Sequence, residues 1–322
     1  ADPPDFSDFS DFPDFPKFPD SYKTHTRFAQ ETHTSSYETI LSSKPCPCAE
    51  IRPGIHHPFT HATIMTQITH TLFDLRQRRA LITGSTQGIG LSLAYALAGA
   101  GASIVLNGRD ETRVRNVAEK MIADGFTADG VAFDVTDPAA VAAGIARIEQ
   151  NIGPIDILVN NAGIQRRAPL EDFPAGDWQA ILDTNLSSIF YVSQAVARHM
   201  IARGSGKIIN ICSVQSQLGR PTIAPYTAAK GGVANLTKGM CADWAKYGIQ
   251  ANGLAPGYFV TEMNKALVEN EEFSAWLCKR TPANRWGQLE ELHGAAIFLA
   301  SDASNFVNGQ IIYVDGGITA CV

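Results

Sequence analysis

Ala80-Leu81-Ile82-Thr83-Gly84-Ser85-Thr86-Gln87-Gly88-Ile89-Gly90 reads as a short apolar strand, a glycine-rich turn and the opening of a helix. The helical run continues from Leu91 to Ala98 and stops at Gly99 to Gly101. Glycines at 84, 88 and 90 let backbone approach a pyrophosphate closely, and the first turn of the helix supplies free N–H donors. A glycine-rich turn alone says little, because tight turns use glycine anyway. The strand before it and the helix after it make this stretch point to a dinucleotide.

Outward from that stretch the chain alternates. Ser103 to Leu106 is a second strand, and Asp110 is placed to cap a helix running to about Asp124. Val131-Ala132-Phe133 is a third strand ending at Asp134, after which Asp137-Pro138 opens another helix. Ile155 to Val159 is a fourth strand, ending in Asn160-Asn161-Ala162-Gly163. A long helix over about Asp177 to Arg203 leads to a fifth strand, Lys207 to Cys212, and then to Ser213. A helix starting at Tyr226 runs to about Lys246, and Gln250 to Leu254 is a sixth strand. A variable segment and a helix near Leu289–Ala300 precede the last strand, Gly309 to Val314. Such alternation predicts a doubly wound parallel sheet with helices on both faces. Ligands collect at the C-terminal ends of its strands, where every polar motif of this chain falls.

Two of those ends carry chemistry. Tyr226 and Lys230 are four residues apart, on one helix face about 5–6 Å from each other. A neighbouring ammonium favours a phenolate, and a serine hydroxyl such as that of Ser213 can hold a reacting oxygen. Tyr-x-x-x-Lys also occurs by chance in many helices, so its position after Ser213 is what gives it weight. At the end of the second strand stand Asn107, Gly108 and Arg109. A carboxylate there would bind a ribose 2′-hydroxyl; its absence, with Arg109 present, favours NADP over NAD.

Composition narrows the class. The 322 residues are 45% hydrophobic and 18% charged, with a net charge of −6. This gives no support to a nucleic-acid partner, and no apolar run is long enough for a membrane span. The six cysteines, at 46, 48, 212, 241, 278 and 321, are too scattered for a disulfide framework and fit free thiols in the cytoplasm. Residues 1–64 differ from the rest. Phe recurs every third position from Phe6 to Phe18 among Asp, Ser and Pro, a period that suits neither helix nor strand. We expect a disordered, low-complexity extension that is not part of the native protein, with Met65 as initiator and one domain over 65–322. Cys46, Cys48, His56, His57 and His61 match no defensible zinc spacing, so no metal is expected.

With these residues placed, the chain from about Leu72 to Val322 resembles the short-chain dehydrogenase/reductase family. Thr83-Gly84-x3-Gly88-x-Gly90 is similar to the family's cofactor turn, and Asn160-Asn161-Ala162-Gly163 to its sheet-stabilising motif. The resemblance implies a Rossmann-type single domain of about seven strands. It implies Asn185, Ser213, Tyr226 and Lys230 as catalytic residues. Tyr226 would be the base, lowered in pKa by Lys230, which also holds the nicotinamide ribose. Ser213 would hold the reacting oxygen, and Asn185 a water on the path from Lys230 to solvent. Cofactor contacts are implied at Gly84, Ser85, Gln87, Gly88, Ile89, Gly90, Arg109, Asp134, Val135, Asn161, Ala162 and Gly163. The nicotinamide-side loop adds Pro256, Gly257, Phe259 and Thr261, beside Tyr226 and Lys230 themselves.

Within the family the stretches Leu106–Asp110, Gly163–Leu170, Ser213–Arg220, Tyr258–Glu262 and Asp315–Ala320 are similar to the sugar-acid dehydrogenases. The expected substrate is a polyhydroxylated sugar acid, contacted by Ser213 and Tyr226, with Arg166 on its carboxylate. Arg166 and Arg167 are equally readable as a solvated basic turn. The chain departs from that branch at Asn284, where the resemblance implies glycine. A deoxy keto sugar acid or an oxoacyl carrier protein is the alternative substrate, and a non-catalytic nucleotide-binding scaffold the alternative class. A homo-oligomer, tetramer or dimer, packed through the long helices flanking Ser213, is also implied.

Overall fold

The computed structural model describes residues 71–321. The expectations for residues 1–64, the start at Met65 included, lie outside the described residues. Seven strands form one parallel sheet: β1 Arg79–Ile82, β2 Ser103–Gly108, β3 Ala128–Ala132, β4 Ile157–Asn160, β5 Gly206–Ile211, β6 Ile249–Pro256 and β7 Ile311–Val314. Their order across the sheet is β3-β2-β1-β4-β5-β6-β7. The order reverses between β1 and β4, which opens a crevice at their C-terminal ends.

The apolar strands are covered on both faces, and alternate side chains sort into two cores. Ala80, Ile82, Ile104, Leu106, Ile157 and Val159 pack on one face with Leu93 and Leu97 of α1 (Gly88–Gly99). Met121 of α2 (Glu111–Ala123) joins them. Leu81, Val105, Leu158 and Ile208 pack on the other face, against Val141, Ile145 and Ile148 of α3 (Pro138–Asn151). The expected Asp110 cap is present, accepting from Arg113 N at 3.0 Å, and Asp137, ahead of Pro138, accepts from Ala139 N at 2.8 Å.

Several boundaries differ from the sequence reading, each for a local reason. β3 begins three residues earlier than expected, at Ala128, hidden in the sequence by Asp129 and Gly130. β3 is an edge strand, and Gly130 lies under α2, where a Cβ would come 2.7 Å from Val114 Cγ1. The long helix is interrupted: α4 (Ala175–Leu182) passes through a π-helical segment, Asp183–Ser187, into α5 (Ser188–Arg203). The helix carrying Tyr226, α6 (Ala224–Trp244), opens two residues earlier, with Pro225 in its first turn. The variable segment holds two helices, α7 (Lys265–Val268) and α8 (Glu271–Arg280). Then comes α9 (His293–Ala300), which packs on the α1 side of the sheet. A third, small apolar cluster unites Val214, Leu277, Trp286 and Ile318, with Tyr258, Phe273 and Leu267 packed against it. It binds the variable segment to the loop after β5.

Candidate active site

A cleft of about 720 Å³ runs along the C-terminal ends of the strands. That is within the size range of small-molecule and cofactor sites, ~300–1,000 Å³.

Its floor near β1 is built from backbone that admits no side chain. Gly84 has φ +60° and its missing Cβ would lie 2.9 Å from Ala162 Cα. Gly88, at φ +56°, faces open space. A Cβ on Gly90 would overlap Asn161 Nδ2 and sit 2.6 Å from Gly84 O. Asn161 explains that crowding: its Nδ2 donates to Thr83 O and Gly84 O, both at 3.0 Å, while Thr83 Oγ1 accepts from Asn161 N and Ala162 N. The glycine turn and the end of β4 are thus one hydrogen-bonded unit. These glycines, the start of α1 and the open space over Gly88 fit a pyrophosphate. The turn and the Asn-Asn-Ala-Gly stretch are both needed to make that floor.

Toward β2, Asn107 is buried and donates to Val131 O and Phe133 O at 3.1 and 3.2 Å, leaving its Oδ1 without a partner. Arg109 is exposed at the cleft edge. Arg113 joins it from α2 and donates to Gln87 Oε1. No carboxylate side chain occupies positions 107–109, and two guanidinium groups line that end. Asp134 and Val135 border it, with Asp134 Oδ1 held by Thr136 N and Oγ1 at 2.9 and 2.8 Å.

Toward β5 lie Ser213, Tyr226 and Lys230, all on the cleft wall. Ser213 leaves the end of β5 and its Oγ accepts from Gln215 N at 3.2 Å. Lys230 is buried; its Nζ donates to Ile211 O at 2.5 Å and lies 5.7 Å from the Tyr226 ring centroid. Burial pushes the Lys230 ammonium down to about 8, against a smaller opposing effect of Cys212. Burial raises the Tyr226 phenol above its ordinary value, and the Ser213 hydroxyl acts in the lowering direction. Burial is the largest influence on Tyr226, and the Lys230 Nζ is directed to the Ile211 carbonyl.

The family model described as enoyl-(acyl carrier protein) reductase matches residues 84–319. The chain belongs to the short-chain dehydrogenase/reductase family. It is 62% identical over 248 residues to gluconate 5-dehydrogenase of Gluconobacter oxydans, covering 77% of this chain and 97% of that one. It is 54% identical over 251 residues to 5-keto-D-gluconate 5-reductase of Escherichia coli K12, covering 78% and 99%. A crystal structure of a gluconate 5-dehydrogenase from Burkholderia cenocepacia, in complex with NADP and tartrate, is 64% identical. It superposes with a TM-score of 0.78, over 79% of this chain and 100% of that one.

Most family positions named from sequence meet in this cleft: Gly84, Gln87, Gly88, Ile89, Gly90, Arg109, Asp134, Val135, Asn161, Ala162, Gly163, Pro256, Gly257 and Thr261. Three of the implied positions stand behind its wall. Ser85 is fully buried, donating to Ile82 O at 2.8 Å and accepting from Asn107 N at 3.0 Å; it joins β1 to β2. Phe259 is buried in the first core, beside Gly287. Asn185 is fully buried in the π segment, where its side chain accepts from Ile164 N and donates to Ile164 O, both at 2.8 Å. Both ends of that amide are therefore engaged by one residue of the cleft wall.

Arg166 borders the cleft, where its guanidinium is ion-paired with Asp177. An exposed arginine takes the nearest carboxylate, and α4 supplies one that the local sequence did not bring to notice. Sequence reading also passed over Arg113, Gln215, Arg220 and Tyr258 as lining residues. Arg113 had a signal, one helical turn beyond the Asp110 cap; the others meet only through the fold.

Proposed function

We propose that this chain interconverts D-gluconate and 5-keto-D-gluconate with NADP(H), the substrate's C5 carbon facing Tyr226. The observation that carries this reading is one continuous cleft. It joins a side-chain-free phosphate floor, a β2 end with arginine in place of carboxylate, and a Ser213–Tyr226–Lys230 cluster. The names of the relatives at 54–64% identity supply the substrate.

NADP, when bound, supplies the hydride acceptor at C5. The rest is the work of this chain. Ser213 Oγ holds the C5 oxygen. Tyr226, as phenolate, takes the hydroxyl proton during oxidation; as phenol, it returns one during reduction. Lys230, anchored on Ile211 O, would hold the nicotinamide ribose. Asn185 is a positioning residue: it fixes Ile164 and so that part of the cleft wall. Because burial raises Tyr226, oxidation gains speed as pH climbs through alkaline values and reduction gains as it falls.

The proposed domain is 65–322, acting as a cytoplasmic homo-oligomer. The four described cysteines are free, and Phe190 of α5 is exposed beside Tyr191. Sedimentation at a single-chain mass would remove the oligomer. The function is tested by following NADPH formation from D-gluconate and NADP, and its consumption with 5-keto-D-gluconate. Turnover in both directions with weak response to NAD is expected. Turnover only of a deoxy keto sugar acid would move the substrate assignment, and preference for NAD would overturn the cofactor assignment.

A further inference from the structure

The cleft contains a polar pocket that no expected role uses. Arg220 lies on the loop between Ser213 and α6, half-buried, with its guanidinium carbon 5.1 Å from the Phe273 ring centroid and 6.0 Å from that of Tyr258. Its Nη1 is 3.5 Å from Tyr258 Oη, and Gln215 Nε2 is 3.5 Å from the same oxygen. Gln215 is 6% exposed, yet its Oε1 has no partner. Gln215, Arg220 and Tyr258 all line the cleft.

We propose that Arg220 is the carboxylate anchor of the sugar-acid site. This rests on the sugar-acid reading above. The other cleft arginines are differently placed. Arg166 is paired with Asp177. Arg109 and Arg113 stand at the β2 end, three strand positions from β5 and so about 14 Å away, beyond a six-carbon chain held at Tyr226. Arg167 is exposed at the rim. Among the described residues no carboxylate is ion-paired with Arg220, and the two aromatic faces hold its planar group in place while leaving its charge uncompensated. Guanidinium in that state matches a carboxylate bidentately. Stacking pre-orders the side chain, so little rotamer entropy remains to be lost on binding. Such a site describes an anion and disfavours the neutral polyol of the same length.

The test is calorimetric titration of the full chain holding NADPH, which cannot accept a hydride. The probes are D-gluconate and D-sorbitol, the same chain with a primary alcohol in place of the carboxylate. Wild type should bind gluconate at least ~10-fold more tightly than sorbitol. Arg220→Met should weaken gluconate by about 10- to 100-fold, the size expected of a charge-assisted bidentate contact, and leave sorbitol unchanged. If Arg220→Met does not fold, Gln215→Glu serves instead: a carboxylate set beside Arg220 should cost gluconate affinity and spare sorbitol. Gluconate affinity within ~3-fold of wild type in the folded variant overturns the proposal, as does equal loss for both probes, or a wild type with no preference. Arg220-dependent gluconate binding without NADPH formation from gluconate and NADP would leave the anchor standing and sink the proposed reaction.

Discussion

Two buried lysines stand at opposite ends of one strand. Lys207 opens β5 and Lys230 reaches the carbonyl of Ile211, which closes it. Each is 4% exposed, and burial pushes each down to about 8. Titration alone does not separate them. Their surroundings do. Lys207 Nζ donates to Ser304 Oγ at 3.2 Å and Asn305 Oδ1 at 2.8 Å, beside the Arg78–Asp302 ion pair. It is a fastener at the N-terminal edge. Lys230 faces the cleft, 5.7 Å from the Tyr226 ring. A perturbed lysine marks burial first; only the open space and the hydroxyl groups beside Lys230 make it a candidate for chemistry.

The sharpest way to break this comparison is to remove each ammonium in turn. Lys230→Met should cut kcat/KM for gluconate by roughly 10²–10⁴, the range for losing a group of an acid–base centre. Lys207→Met, in the same steady-state assay, should stay within ~3-fold. Equal losses would mean that both lysines act through the fold.

Gly90→Ala tests the floor that Lys230 does not touch. The new methyl would collide with Asn161 Nδ2, so NADPH affinity should fall by more than ~10-fold in a fluorescence titration, while circular dichroism stays that of a folded chain. Unchanged affinity would mean that Asn161 can move and the unit described above is not rigid.

A smaller effect is expected in stability. A lysine with a folded value of about 8 binds fewer protons than its unfolded counterpart, whose value is about 10.4. The unfolded chain then holds more protons between those values, so stability should rise with pH across that window and be lowest below it. Denaturant melts should show the rise, and Lys207→Met should flatten it by removing one of the two groups. A rise of the same slope in that variant would contradict the burial argument.

Smallest of all is the rim. Exposed ion pairs contribute about 0–1 kcal/mol, so Arg166→Ala should change gluconate KM by less than ~3-fold. A large rise would return Arg166 to the substrate and make its pairing with Asp177 a resting arrangement.

Much of this was legible in the chain because apolar strands, caps and glycine turns are local. The Ala80–Ile82 run, the Asp110 and Asp137 caps and the glycines at 84, 88 and 90 state their conformations within a few residues. Asn284 is a further example: it adopts φ +54°, a left-handed conformation in which glycine is strain-free and asparagine tolerated. That accounts for glycine being the family expectation there. What stayed hidden depends on distant partners. The π segment around Asn185 forms where its amide closes on Ile164, twenty-one residues away in sequence. Arg220 finds its place from Phe273 and Tyr258, and Lys230 its lowered proton affinity from burial. Periodicity does not encode such meetings; they come from the sheet order and the helices of the variable segment.

The most direct test of the central claim is Tyr226→Phe, measured twice on one preparation: NADPH formation from D-gluconate, and NADPH binding by fluorescence. The account predicts turnover lowered by at least ~10³-fold with the cofactor titration unchanged, because one oxygen leaves and the cleft keeps its shape. Turnover within ~10-fold of wild type would contradict it, and the proton would have to be carried by another group on that wall.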